Sequence, residues 1–319
     1  MVKSIYSAAV CCTLAFTASK VNAFEWDWYG KLELQALDVD KGLYRYADQG
    51  RQIEVPFSRL GLKAKHQLTD GLAVIAVYEW QVNGLDDANK GHRFGSRNTY
   101  IGLAGRYGEL VFGKNDTRFK KSEGKIDLFN ESLADIAQIT PAQDRLENIL
   151  SYQSPIIEGF NFSATWQTGA SDEIAGGYDW VVGYGDPALK KYPLYLAYGR
   201  TDELNNITAE RLLAQLPLWQ TDGAVLAAGL MYQHSEHLVR NIEGDAWLAQ
   251  LSYQRNDWTY KWQWQKDDSR TRHAENARLH SIGVDYQWRN NLTAYLLLSK
   301  LNFETGRDHA AALGMKFFF

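Results

Sequence analysis

The sequence predicts an all-β protein, a transmembrane antiparallel β-barrel of about sixteen strands with a long third loop folded into its lumen. Three observations predict it. Apolar and polar residues alternate with period two from residue 24 to the C-terminus. The alternating segments form an even set. The connections between them are short and long in turn, the rim asymmetry of an outer-membrane barrel.

The composition excludes the main rivals. The chain has 319 residues, with 34 Lys+Arg against 38 Asp+Glu and 45% hydrophobic residues. Its mean hydropathy is −0.39, and no run of eighteen apolar residues follows the N-terminus, so no transmembrane helix is expected. A pI near 6.0 gives no reason to expect a nucleic-acid partner. Both cysteines, Cys11 and Cys12, fall in the first 23 residues, so no disulfide framework is possible beyond them. Against this polar background stand 11 Trp, 18 Tyr and 13 Phe.

Residues 1–23 read as a cleaved secretory signal peptide: Lys3 at the start, an apolar stretch from Ile5 to Phe16, and Val21-Asn22-Ala23 as the cleavage site. A lipoprotein signal is the competing reading, but Val10 is not the small residue expected before a lipidated cysteine. Without Lys3 and Lys20, 32 basic residues remain against 38 acidic ones, a net charge of −6. Residues 24–319 then form a single barrel domain.

The strands follow from the alternation. In 257–268, Trp258, Tyr260, Trp262 and Trp264 share one face, and Thr259, Lys261, Gln263 and Gln265 the other. The first segment sets Trp26, Trp28, Leu32 and Leu34 against Asp27, Lys31, Glu33 and Gln35. Turn signals divide the chain into strands at 24–38, 51–67, 71–83, 93–104, 107–116, 145–154, 159–168 and 177–185. The second half continues with 190–200, 207–218, 222–235, 242–254, 257–268, 275–287, 291–303 and 308–319. An aromatic-rich apolar face suits lipid and its interfaces.

Short connections are expected at 69–70, 105–106, 154–158, 186–189, 219–221, 255–256 and 288–290. Longer ones are expected at 39–50, 84–92, 117–144, 169–176, 201–206, 236–241, 269–274 and 304–307. Segments 72–78 and 292–298 are apolar on both faces. Either their inner residues meet a filled interior, or their outer face packs against another barrel. The longest connection, 117–144, has too many apolar residues in its second half for a free tail. It is expected to pack inside the barrel, with a helical turn around Phe129 to Ile136.

With these features, essentially the whole mature chain resembles the general, trimeric porins of Gram-negative outer membranes. The resemblance rests on Tyr29-Gly30-Lys31, on Ser58 to Lys63, on Arg97 to Leu103, on Tyr107 to Asn115, on Arg145, on Gly159 to Ser163 and on the terminal Phe319. It implies that 117–144 is the constriction loop, with carboxylates facing basic side chains on the wall. The acidic set carries over to Asp127, Glu131 and Asp135, and the basic set to Lys31, Arg59, Arg97 and Arg145. Phe319 looks like the signal read by the outer-membrane insertion machinery. The loop tip departs from the family: Asn130-Glu131-Ser132-Leu133-Ala134 stands where a Pro-Glu-Phe-Gly-Gly sequence is usual. Arg118, Lys120, Lys121 and Lys125 add positive charge at the loop's start.

Strand parity supports the basic set independently, since Lys31 lies opposite Trp28, and Arg59 shares a face with Gly61 and Lys63. Opposed charges across a narrow water-filled space set up a transverse field that favours small polar solutes. The same cations could also act as a salt-bridge ladder on the wall. Seven histidines without a surrounding motif point to no metal site or catalytic triad, and neither a cofactor nor an enzymatic activity is expected. The sequence thus reads as a passive diffusion channel for small hydrophilic solutes and ions, a homotrimer in contact with outer-membrane lipids. Its rivals are a saccharide-preferring channel with an aromatic track, for which Tyr29 and Tyr286 are available, and an adhesin or receptor acting through its loops.

Overall fold

The computed structural model describes residues 24–83, 94–169 and 176–319; the signal peptide expected at 1–23, the loop expected at 84–92 and most of the loop expected at 169–176 lie outside them. The first strands are β1 (Glu25–Val39), β2 (Gly50–Glu54), β3 (Arg59–Thr69), β4 (Leu72–Val82), β5 (Phe94–Gly105) and β6 (Gly108–Asp116). After segment 117–144 come β7 (Arg145–Gln153), β8 (Phe160–Gln167), β9 (Gly177–Gly185), β10 (Tyr195–Leu204), β11 (Ile207–Thr221) and β12 (Ala224–His237). The chain ends with β13 (Ile242–Arg255), β14 (Trp258–Asp267), β15 (Ala277–Arg289), β16 (Leu292–Asn302) and β17 (Arg307–Phe318). Each strand pairs antiparallel with its neighbours, and β17 pairs with β1 to close the ring.

β2 and β3 both pair with β1, at Gln35–Val39 and Glu25–Lys31 respectively, so they are two pieces of one barrel strand and the ring has sixteen. The expected continuous strand 51–67 is thus broken at 55–58. Pro56 has no N–H to give the ladder, and Phe57 takes a left-handed φ of 50°. Ser58 repairs the gap: its hydroxyl accepts from the Glu33 N–H at 2.9 Å.

Two connections differ from expectation. The strand expected at 190–200 is shifted to Tyr195–Leu204, which leaves 186–194 as a longer connection. The loop expected at 201–206 shrinks to Asn205-Asn206, with φ of 54° and 60°. Two consecutive left-handed residues make the tight hairpin turn whose twist matches that of the strands, and asparagine tolerates that conformation well.

The side-chain pattern is inverted relative to a soluble protein. In β14, Trp258, Tyr260 and Trp262 are exposed, whereas Gln263 and Gln265 are fully buried. The apolar face of β16 (Leu296, Leu298) is likewise exposed, while its other face carries buried Tyr295 and Leu297. These pack with Leu37, Leu279, Leu301 and, from segment 117–144, Phe129, Leu133, Ala134 and Ile139. That packing accounts for the doubly apolar pattern of 292–298.

Candidate functional site

Segment 117–144 is organised by its own polar side chains. Thr117 caps the single helical turn Arg118–Lys121, its hydroxyl accepting from the Lys120 N–H at 3.1 Å. Asp127 accepts from the N–H groups of Phe129 (3.0 Å) and Ile136 (2.8 Å) and from the Gln263 amide (2.9 Å). Asp135 accepts from the N–H groups of Glu131 (2.6 Å) and Ala137 (2.7 Å). The helical turn expected at 129–136 is therefore absent. The carboxylates take N–H groups that a helix would give to its carbonyls, and only a 3₁₀ turn at Ile136–Gln138 follows. Without the family's glycines, the tip bends at Glu131, whose φ is 56°.

Apolar side chains dock the segment on wall glycines. A Cβ at Gly283 would meet the Phe129 ring at 2.8 Å, and one at Gly229 would meet Ile126 at 2.9 Å. Polar contacts complete the seam. Gln263 accepts from the Leu128 N–H (2.8 Å), Gln265 donates to the Ala134 carbonyl (3.0 Å), and the buried Arg211 donates to the Phe119 carbonyl (3.1 Å).

On the other arc of the ring, Glu131 meets three cations. Its carboxylate accepts from Lys31 (3.0 Å) and Arg97 (3.0 Å) and pairs with Arg59. Burial alone would raise its pKa; Lys31 and then Arg59 overcome that and hold the carboxyl well below the usual range. Two further carboxylates belong to the group. Glu79 binds Arg97 (2.6 Å), accepts from the Tyr29 hydroxyl (3.0 Å) and lies 3.6 Å from Arg59. Glu33 binds Lys31 at 2.8 Å and accepts from the Tyr295 hydroxyl at 2.8 Å. Lys31, Arg59 and Arg97 thus face Glu33, Glu79 and Glu131, and a fourth cation, Lys316, lies 3.7 Å from Glu33.

The residues singled out from the sequence divide accordingly. Glu131, Lys31, Arg59 and Arg97 come together. Asp127 and Asp135 turn into the segment's backbone and do not reach the basic set. Burial and then Asp135 push the Asp127 carboxyl up, and burial pushes Asp135 up as well. Arg145 stands in a second group, donating to Asn98 (2.5 Å) and pairing with Asp116 (3.1 Å). Glu33 and Glu79 were not among the expected residues, although strand parity was available to find Glu33. Glu33 is two residues from Lys31 on β1, and Glu79 sits opposite Gly61 on the face of Arg59. Phe319 closes the ring: its N–H donates to the Gly30 carbonyl (3.2 Å), and its carbonyl accepts from the Gly30 N–H (2.9 Å).

The family model for Gram-negative porins matches residues 7–306. The chain belongs to the Gram-negative porin family. That membership and the closed barrel place it in the Gram-negative outer membrane. Among porin relatives, outer membrane protein U of Vibrio vulnificus is 33% identical over 99 residues, covering 30% of this chain and 28% of that protein. The outer membrane porin protein OmpD of Salmonella typhimurium LT2 is 26% identical over 243 residues, covering 70% of this chain and 64% of that protein. The matched stretches thus span less than two thirds of these relatives. An anion-selective porin from Comamonas acidovorans superposes with a TM-score of 0.70 at 17% identity, over 93% of this chain and 100% of that one. At that identity the likeness speaks for the fold.

Proposed function

We propose that this porin is a passive, water-filled diffusion channel for small hydrophilic solutes and ions. In this reading the polar faces of the sixteen strands line the lumen, and segment 117–144 crosses it as the constriction. One observation carries the reading. The segment bonds β1, β3 and β5 through Glu131 and bonds β11 and β14 through Phe119, Asp127 and Ala134. A chain segment reaches both arcs of a closed ring by passing through it.

The constriction wall is then Lys31, Arg59 and Arg97, with Glu131 as the loop's acid. Asp127 and Asp135 shape the loop, and Arg145 acts at its stem. Charges held in opposed pairs in a narrow aqueous space orient dipolar solutes and disfavour apolar ones. The saccharide-track reading loses both of its rings. Tyr29 is engaged with Glu79 and lies under the Lys63 ammonium, and Tyr286 packs on Trp258 of the apolar face. By resemblance to the trimeric porins, the barrel is a homotrimer surrounded by lipid, exported with residues 1–23 as signal peptide and inserted through recognition of Phe319.

The test is single-channel recording in a planar bilayer with the wild-type protein and Glu131→Gln. Discrete ohmic steps are expected, with ion selectivity altered in the variant. A purified, folded barrel that gives no steps would refute the channel. Steps with selectivity indifferent to Glu131 would remove it from the constriction.

A further inference from the structure

The break between β2 and β3 places an aromatic ring beside the constriction. Phe57 holds a left-handed φ of 50°, a conformation in which a bulky side chain is strained, and strain of this kind collects at ligand sites. The Lys31 ammonium stands 5.7 Å from the centre of the Phe57 ring. Lys31 is itself bound to Glu131 at 3.0 Å, so the ring borders the group around Glu131.

Segment 40–49, between β1 and β2, brings a second ring to the first. Tyr46 meets Phe57 with ring centres 6.0 Å apart and planes at 75°. The Arg45 guanidinium lies 5.6 Å from the centre of the Tyr46 ring. The segment is firmly anchored. Asp308 accepts from the N–H groups of Lys41 (2.8 Å) and Leu43 (2.7 Å), and Tyr44 and Ala47 are buried with Phe129, Leu133 and Ile139. Between those two buried residues, Arg45 stays exposed and Tyr46 is 38% exposed. Burial raises the pKa of the Tyr46 hydroxyl, and Arg45, Asp135, Arg272 and Lys120 also act on it, which sets the ring over segment 117–144.

We infer that Tyr46 and Phe57, with Arg45, form a binding corner for small aromatic carboxylates at the entrance to the constriction. Two rings near a right angle let a planar ring stack on one while its edge meets the other. The Arg45 guanidinium offers the fork of N–H donors that suits a carboxylate, and among the described residues no carboxylate lies within ion-pairing distance of it. Asp135 does not compete for it, because the N–H groups of Glu131 and Ala137 hold its carboxyl. The π face of the solute, not its charge, is what the corner selects. The inference rests on the channel reading for the passage of that solute and deepens it by naming a solute class; binding at the corner does not depend on it.

The test of binding uses the purified, detergent-solubilised porin, with benzoate as probe and saturation transfer to its ring protons as readout. Cyclohexanecarboxylate, of the same charge and similar size, is the control. Benzoate is expected to bind the wild type more tightly than the control does. Tyr46→Ala is expected to weaken benzoate about twofold to tenfold, the range of one aromatic pair, and Tyr46→Phe to keep it. Phe57→Gly, which accepts the left-handed φ without strain, should weaken benzoate likewise, and Arg45→Gln should weaken both acids. Equal binding of the two acids, or a signal unchanged in Tyr46→Ala as partition into detergent would give, overturns the corner. Unchanged affinities in Arg45→Gln overturn the choice of carboxylates. In planar bilayers, benzoate should interrupt the wild-type current more than cyclohexanecarboxylate at equal concentration, and Tyr46→Ala should lose that excess. Steady conductance on which the two acids act alike overturns the corner's place on the solute's path and leaves the channel standing. Benzoate binding by a barrel that passes no current supports the corner and refutes the channel.

Discussion

The ring of Phe319 lies over Gly30. A Cβ at residue 30 would come within 2.8 Å of the Phe319 ring edge and 2.7 Å of the Arg59 carbonyl oxygen. The ring could swing away; the backbone oxygen cannot, because it belongs to the neighbouring strand β3. Gly30→Ala is therefore expected to strain the seam where β1 meets the C-terminal residue, at about 1–3 kcal/mol. The check is the temperature at which the purified barrel unfolds in detergent. Phe319→Ala in the Gly30→Ala background should recover part of the loss, leaving the fraction due to Arg59. Full additivity of the two substitutions would contradict the packing described.

Glu79→Gln tests the carboxylate that the sequence did not single out. Glu79 accepts from Arg97 and Tyr29 and sits beside Arg59. Neutralising it leaves Lys31, Arg59, Arg97 and Lys316 facing only Glu33 and Glu131. Selectivity should shift toward anions in the same direction as in Glu131→Gln, without releasing the loop, since Glu79 belongs to β4. Reversal potentials of the two variants, compared with each other, provide the check.

How much of this was legible in the sequence depends on which physical variable decides each feature. Period two is local, so the strands and the faces of Lys31, Arg59 and Arg97 could be read directly. The turn at Asn205-Asn206 is masked in the sequence by the polar run Thr201-Asp202-Glu203 before it, which reads as loop, although two asparagines in succession are a hairpin signal. The break at Pro56 was readable from its missing N–H. Asp127, Glu131 and Asp135 share the same four-residue spacing, yet only Glu131 meets the wall. That outcome depends on which backbone N–H groups the loop's fold brings to each carboxylate, a three-dimensional matter that spacing does not encode. Glu79 required the register across β3 and β4, which is irregular near its end at Gln67/Thr69.

Phe129→Ala should loosen the loop and spare the barrel. Its ring is buried against Gly283 and packs with Leu133, Leu279 and Leu297. Emptying such a site costs about 3–5 kcal/mol. Because the strands keep their ladders, that cost falls on docking of the loop. The expected result is an unfolding temperature close to wild type together with a noisier open channel, read from current fluctuations at constant voltage. A quiet channel would mean that the seam of Gln263, Gln265 and Arg211 suffices on its own.

The loop should also respond to pH through Glu123. Its carboxyl is buried, accepts from the Asn130 amide at 2.9 Å, and is pushed up to about 8 by burial and then by the Asp127 and Asp135 carboxyls. A carboxyl raised in the folded state stabilises docking fully below its unfolded value, near 4.5, and that contribution is lost as pH rises through about 8. Docking should therefore weaken on going from about pH 6 to about pH 9, a range over which a salt-bridged carboxylate such as Glu131, held below the usual carboxylate value, contributes no change. Channel closures should become more frequent at the higher pH. Glu123→Gln keeps an acceptor for Asn130 and removes the titration, so its closure frequency should change far less over the same range. If wild type and Glu123→Gln respond to pH alike, the buried carboxyl is not the group that loosens the loop.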